Sequence, residues 1–308
     1  MALVVPATGA LLQQILDETF PLWGEGLDRA GYERYNAAQL GTPWGASRLH
    51  RVALVEGSDW LATAKVYRLR GRFEGQEVPI VGLGAVFTPA RRRRRGYAAQ
   101  LIREVLAAAA ADDCRLAVLF SEIPPSYYQQ FGFRTVPVNQ FLLGPGTYSR
   151  DRPGIKGGRA PGIALRSGEA RDLRAVAEMN AMQAEGFRFT LLRDPGYIAY
   201  AQAKKRLLAA CGRPGHRQVE FFVVEEGGRA AGYAVVLEVG EYWMMTECGD
   251  RDPSGARVGA IVEAMLARSG RRPPQVRAWL PPGFLPPQLE VVRTEAPQIS
   301  MMVAPLGG

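Results

Sequence analysis

Five consecutive arginines, Arg91 to Arg95, run straight into Gly96, Tyr97 and Ala98. An apolar stretch, VPIVGLGAVFTP, precedes them, and Ala98, Leu101, Ile102, Val105, Leu106 and Ala109 follow on one helical face. The start of a helix leaves backbone N–H groups without partners and carries the positive end of the helix dipole, so it takes an anion such as a phosphate. Gly96 has no side chain and lets a phosphate approach the backbone, and Ala98 keeps the next position small. The arginines add charge-assisted donors. About thirty residues on, SYYQQFGF (Ser126 to Phe133) brings two phenols, Tyr127 and Tyr128, each with an O–H to donate.

The remaining reactive groups are sparse. Two histidines, His50 and His216, are a poor basis for a metal site or a Ser-His-Asp triad, and both read as surface or loop residues. Cys114, Cys211 and Cys248 are far apart with no CxxC pair, so neither zinc nor a disulfide framework is indicated, and no metal is expected. The net charge of +8 hints at an acidic partner. Yet only four of the 38 basic residues are lysine, which leaves 34 arginines, a bias closer to GC-rich coding than to a nucleic-acid surface. A basic tag would account for the charge but not for Gly96, Ala98 or Tyr128, so nucleic acid is not the expected partner. The N-terminus lacks a charged n-region with a long apolar core, and no 18-residue apolar run occurs. No membrane partner is expected, and the cytoplasm is the expected compartment.

The elements that must position these residues divide at GPGTYSRDRPGIKGGRAPG, Gly144 to Gly162, whose glycines and prolines read as a linker. The expected layout is a domain at 1–145, a linker at 146–162 and a domain at 163–308. In the first half, apolar spacing predicts helices over 9–20 and 29–40. RVALVEG, WLATAKVYRLRG and VPIVGLGAVFTP read as successive strands, and RLAVLFSEI as a short buried one. A short helical turn follows near Ser126, then FRTVPVNQFLL as a last strand. The second half repeats the rhythm with GIALRSG, a helix over EARDLRAVAEMNAMQAE and a hairpin turning at Gly227–Gly228. EYWMMTECGD, a helix over ARVGAIVEAMLARSG and QVRAWLPP complete it.

The pattern R-x-x-G-x-A at Arg93, Gly96 and Ala98, after a strand ending in Thr88-Pro89, resembles the pyrophosphate loop of the GNAT superfamily of acyl-CoA N-acyltransferases. The pattern Y-x-x-x-G-F at Tyr128, Gly132 and Phe133 is similar to the second signature of that family, in the same order, and the resemblance covers roughly residues 1–145. It implies an α/β (α+β) fold with a mixed, mostly antiparallel sheet flanked by helices. With the repeated rhythm it implies two tandem GNAT-like domains. It implies acetyl-CoA as acyl donor, held by Thr88, Arg93, Arg94, Arg95, Gly96, Tyr97 and Ala98 in the loop and by Val86, Phe87 and Ser121 on the strands. Arg91 and Arg92 are expected to face solvent or the outer phosphate.

The reaction implied is direct transfer of an acetyl group to a primary amine in a ternary complex. A backbone N–H near Val86 or Phe87 would stabilise the oxyanion, and Tyr128 would protonate the departing thiolate. Glu122 is the first candidate for the base, with an exposed surface role as the alternative, and the chain-end carboxylate at Gly308 is a more distant one. Tyr35 and Trp44 are candidates to line the acceptor pocket. The matching loop of the second half, ECGDRDPSGARVGA, lacks the pattern and places Asp250 and Asp252 where a diphosphate would go. That domain is therefore expected to be degenerate, either structural or a wall of the acceptor site. A non-catalytic acyl-CoA sensor is the alternative function. The acceptor, a small molecule or a peptide, is not named by the sequence, and a homo-oligomer is left open.

Overall fold

The computed structural model describes residues 1–146, 163–213, 215–240, 242–268 and 276–307. The chain packs as two compact units. The first contains 1–137, 187–192 and 298–308, and the second contains 138–186 and 193–297.

In the first unit, β1 (Leu3–Pro6) is followed by α1 (Gly9–Trp23), α2 (Arg29–Gly41) and α3 (Pro43–Arg48). Then come β2 (Leu49–Glu56), β3 (Asp59–Phe73), β4 (Gln76–Phe87), α4 (Tyr97–Ala111), β5 (Leu116–Ser121), α5 (Ser126–Gln129) and β6 (Arg134–Thr135). The second unit begins with β7 (Gln140–Pro145), β8 (Ile163–Ser167) and α6 (Leu173–Gln183). A short strand, β9 (Phe189–Leu191), belongs to the first unit and pairs with β3. The second unit continues with α7 (Pro195–Cys211), β10 (Arg217–Glu226), β11 (Arg229–Val239), β12 (Tyr242–Asp250), α8 (Ala256–Arg268), β13 (Val276–Ala278) and β14 (Leu289–Glu295). The final strand, β15 (Ser300–Pro305), is part of the first unit.

The first sheet has the order β1-β2-β3-β4-β5-β15-β6 with β9 beside β3, and only the β4–β5 pairing is parallel along that path. Side chains alternate between its faces. On one face Leu54, Ala62, Ala64 and Leu83 pack against Leu101, Ile102, Val105 and Leu106 of α4, the stripe that its sequence spacing predicts. On the other, Ala53, Trp60 and Phe87 receive Ile15 of α1. Burial of each large side chain contributes about 1.5–3 kcal/mol, so these two layers fix the sheet between its helices. Asp28 caps α2 by accepting from the Gly31 N–H at 2.6 Å, and Thr42 caps α3 through Gly45 at 2.9 Å.

The second sheet runs β14-β7-β13-β12-β11-β10-β8. Its hairpin turns at Gly227–Gly228 as the sequence predicts.

The expected boundary at 145 differs from what the backbone does. The stretch FRTVPVNQFLL splits: β6 pairs with β15 in the first sheet, whereas β7 pairs with β13 and β14 in the second. Gly and Pro after residue 144 marked the composition break, but Pro137 is where the packing changes. The apolar run SMMVAP likewise lies against β5, where Met302 and Ala304 are fully buried. Apart from Gly146, the expected linker lies outside the described residues, as does Gly308.

Candidate active site

The centre of the first sheet opens at one point. β4 and β5 pair in register from Ile80↔Leu116 to Leu83↔Leu119 and then stop, although both strands continue. On its other edge β4 pairs Gly84 with Lys65 and Phe87 with Thr63. Two β3 steps are thus matched by three on β4, a bulge that leaves Ala85 and Val86 without a cross-strand partner. Ala85 has φ +48°, a conformation costly for a residue with a Cβ. Gly84 is the close-approach position: a Cβ there would lie 3.2 Å from the Tyr67 ring. The bulge and the parting of the strands together present main-chain groups of residues 85–87 to a gap in the sheet. This is the place where the sequence put Val86 and Phe87, and the Phe87 ring itself is buried against Trp23 and Trp60.

From the gap the chain passes through Thr88 into the arginine loop. The Thr88 hydroxyl is buried without a hydrogen-bond partner. Arg94 (φ +60°) and Gly96 (φ +82°) are both left-handed, and Gly96 is the N-cap of α4. The first bond along this turn runs from the Gln100 N–H to the Gly96 carbonyl at 2.9 Å. The N–H groups of Tyr97, Ala98 and Ala99 stand ahead of it, as at any helix start. Space around Gly96 is open, with no heavy atom within 4 Å of where a Cβ would stand.

The arginines separate into distinct roles. Arg91 is exposed, as expected, and forms an ion pair with Glu18, whereas Arg92 is half-buried and pairs with Asp59 at 2.8 Å. Arg93 folds back within the loop: its Nε donates to the Thr88 carbonyl at 3.1 Å and its guanidinium lies 6.0 Å from the Phe87 ring. Arg94 and Arg95 are exposed and make no ion pair among the described residues.

Across the gap, β5 ends at Ser121, which is 9% exposed. The Ser121 Oγ accepts from the Ile123 N–H at 3.1 Å and is the hydrogen-bond partner of Tyr128. Tyr128 is buried on α5, with its ring 5.1 Å from Tyr127 and 6.0 Å from Phe133. Burial pushes the Tyr128 phenol above the ordinary tyrosine value, the Ser121 bond pulling the other way. The phenol therefore stays protonated at neutral pH, the state a proton donor needs. Glu122 follows directly and is exposed. Tyr35 is a buried residue of α2, and Trp44 is half-buried on α3.

One feature that the motifs did not reveal is a buried polar layer under α1 and α2. Thr19, Asn36, Gln39, Arg51 and Thr63 are all nearly inaccessible. The Thr19 and Tyr32 hydroxyls meet at 3.1 Å, and Lys65 Nζ donates to Gln39 Oε1 at 3.2 Å. Desolvation pulls the Arg51 guanidinium below its ordinary value, with Tyr32 and Tyr67 opposing it. The available signal was the charge at Arg51 and Lys65 directly beside the largely apolar runs 52–55 and 60–64.

The second unit repeats the plan with a different outcome. β12 runs parallel to β13 only as far as Met245↔Ala278, and its register on β11 skips Thr246. The turn into α8 then closes on itself. Asp250, buried, accepts from the Arg257 N–H at 2.8 Å, from Arg257 Nη1 at 2.8 Å and from the Asp252 N–H at 2.9 Å. A carboxylate of the chain thus satisfies the helix start that would otherwise meet a phosphate. Arg257 also holds Glu226 through two bonds, at 2.7 and 2.8 Å. Nearby on β12, buried Glu247 pairs with Arg193 at 2.6 Å and with Lys205.

Sheet order, the parted central strands and the loop at the start of α4 are those of a GNAT-type fold. Residues 32–136 match the family model of the acetyltransferase (GNAT) domain. Among solved structures, the chain is similar to a GCN5-related N-acetyltransferase from Kribbella flavida, at 16% identity and TM-score 0.69, covering 98% of this chain and 70% of that one. A probable N-acyltransferase from Enterococcus faecalis V583 matches at 15% identity and TM-score 0.68, covering 99% and 73%. A tandem GNAT protein from the clavulanic acid biosynthesis pathway matches at 15% identity and TM-score 0.56 over 100% of this chain and 99% of that one. No curated protein sequence matches the chain. Residues 32–136 are a GNAT domain by that match, the chain has a GNAT-type fold whose two sheets fit a tandem arrangement, and this fold supports acyl-CoA-dependent acyl transfer in general. No described helix is long and apolar enough to cross a membrane.

Proposed function

We propose that the protein is an N-acetyltransferase that moves an acetyl group from acetyl-CoA to a primary amine by direct attack in a ternary complex. The observation that carries the proposal is the alignment, in one unit, of three features: the parted β4–β5 strands, the left-handed Gly96 at the start of α4, and buried Tyr128 beside Ser121. These residues fit the donor. The N–H groups of Tyr97, Ala98 and Ala99 and the exposed Arg94 and Arg95 suit a diphosphate, the unpartnered Thr88 hydroxyl offers one more contact, and the gap suits the pantetheine arm.

In the proposed reaction the neutral amine attacks the thioester carbonyl. The N–C bond forms, the C–S bond breaks, and the carbonyl oxygen is stabilised by an N–H of the bulge at Val86 or Phe87. Tyr128 gives its proton to the departing thiolate, and the proton leaving the amine passes to a base, with Glu122 the first candidate or a water chain beginning there. The acceptor is a small-molecule or peptide amine, and the same proposal places the protein in the cytoplasm. The second unit serves as scaffold or acceptor-site wall, because Asp250 already fills its helix start.

Incubating the protein with acetyl-CoA and a panel of primary amines, and following thiol release, tests this reading. Amine-dependent release that Tyr128→Phe diminishes supports it. Tight acetyl-CoA binding without release from any amine would indicate a sensor instead. A nucleic-acid role is disfavoured by Arg91 and Arg92, which are already paired with Glu18 and Asp59.

A further inference from the structure

The face of the first sheet that lies under α1 and α2 holds a positive charge that no carboxylate among the described residues pairs with. Arg51 is 7% exposed. It pairs across β2–β3 with Lys65, and Lys65 pairs across β3–β4 with Gly84, so the three share one row and one face. That row ends beside the bulge at Ala85 and Val86, two strands or about 10 Å from Arg51 along the hydrogen-bonding direction. The Tyr32 hydroxyl is the side-chain partner of the guanidinium. Its Nη1 is buried with no hydrogen-bond partner, and among the described residues no carboxylate forms an ion pair with it. Burying an unpaired charge is expensive, and buried arginines are ordinarily paired. The half-buried Arg193 and Lys205 of the second unit follow that rule, since they share buried Glu247. Arg51 is therefore a buried charge without a carboxylate partner among the described residues.

We propose that the acceptor is an amine that also carries a carboxylate, an amino acid or a peptide, and that Arg51 binds this carboxylate while the amine reaches the bulge. The inference rests on the acetyl-transfer reading above. One open guanidinium nitrogen with Lys65 in the same row suits a singly charged carboxylate better than a dianionic phosphate, which needs more donors. Lys65 is already held by Gln39 and contributes field more than a direct bond.

The test compares acceptors that differ only in the carboxylate: lysine against cadaverine, and a set of amino acids against their carboxamides, with acetyl-CoA affinity measured alongside by calorimetry. The carboxylate-bearing member should have the higher kcat/KM by roughly 10–100-fold, the value of a hydrogen-bonded charge contact. Arg51→Met should erase that preference by raising the acceptor KM, and Arg51→Lys should retain part of it. Because Met fills the space without the unpaired charge, thermal stability should hold or rise, whereas a structural arginine would be missed and the midpoint would fall. The inference is overturned if cadaverine or the carboxamides are used as well or better. It is also overturned if no carboxylate-bearing amine is consumed while acetyl-CoA is bound, or if Arg51→Met lowers the midpoint and leaves the preference intact. Failure to bind acetyl-CoA at all would instead overturn the underlying reading.

Discussion

Replacing Tyr128 by phenylalanine removes a single oxygen from a site whose other contacts persist. The ring keeps its neighbours Tyr127 and Phe133, at 5.1 and 6.0 Å between centroids. Ser121 keeps the Ile123 N–H at 3.1 Å, so no buried acceptor is orphaned. The lost hydrogen bond is worth about 1 kcal/mol, a small shift in the unfolding midpoint. Loss of a positioned general acid, by contrast, costs roughly 10²–10⁴ in rate, or about 3–5 kcal/mol of barrier. The variant should thus fold, bind acetyl-CoA with an affinity within about threefold of the parent, as expected for a contact made only in the transition state, and lose kcat by at least about 100-fold. Initial rates of thiol release at saturating amine, together with thermal melts, separate these effects. The pH dependence adds a second reading. Burial holds the phenol above the ordinary tyrosine value of 10.0, so Tyr128 imposes no falling limb on the parent rate below that pH. A kcat within about threefold of the parent, or a large stability loss with little change in rate, would show that Tyr128 is a packing residue and refute the assignment.

Further outcomes follow from the same geometry. Gly96→Ala meets no neighbouring atom but forces a left-handed conformation on a residue with a Cβ, so it should lower stability by about 1–2 kcal/mol in urea melts. Because the new methyl stands where a phosphate would approach, acetyl-CoA affinity should fall as well. Asp250→Ala strips Arg257 of a buried partner and empties the start of α8, and should cost about 3–5 kcal/mol of stability without creating a second acyl-CoA site, as titration of the stoichiometry would show. The Cys248 thiol is pushed up to about 12 by burial, aided by Glu247 and Asp250. A raised native value favours the protonated fold, so this stability is complete below the ordinary value of 9.0 and is lost as pH climbs toward 12. Cys248→Ala should flatten the fall of stability between those limits in denaturant titrations.

The parts of the fold legible in the sequence are those set by local pattern. Leu101, Ile102, Val105 and Leu106 fall on one face of α4 because a helix buries a stripe, and the largely apolar runs in β2 and β3 read as strands, with Trp60 to Ala64 buried in succession between two helical layers. The helix start after Gly96 was legible from the apolar stripe that follows it, and Tyr128 was singled out by its resemblance to the second GNAT signature. What escaped detection depends on partners distant in sequence. α7 buries only Ile198, Tyr200 and Gln202 and so presents no clean apolar stripe. β15 looks like any apolar run until its pairing with β5 is known, and β7, read as part of one last strand, joins the second sheet only through its pairing with β13. The bulge at Ala85 depends on the register against Thr63 and Lys65. Arg51 is visible as a charge in a strand, but only the packing of α1 and α2 makes it buried and unpaired.

The most direct measurement is a calorimetric comparison of acetyl-CoA with acetyl-pantetheine, which has the same thioester and arm but no diphosphate. If the turn from Arg94 to Ala99 is the diphosphate site, acetyl-CoA should bind at least about 100-fold more tightly, the worth of several charge-assisted hydrogen bonds. Equal affinities, or no binding of acetyl-CoA, would contradict the assignment of this loop and the acyl-transfer reading that depends on it.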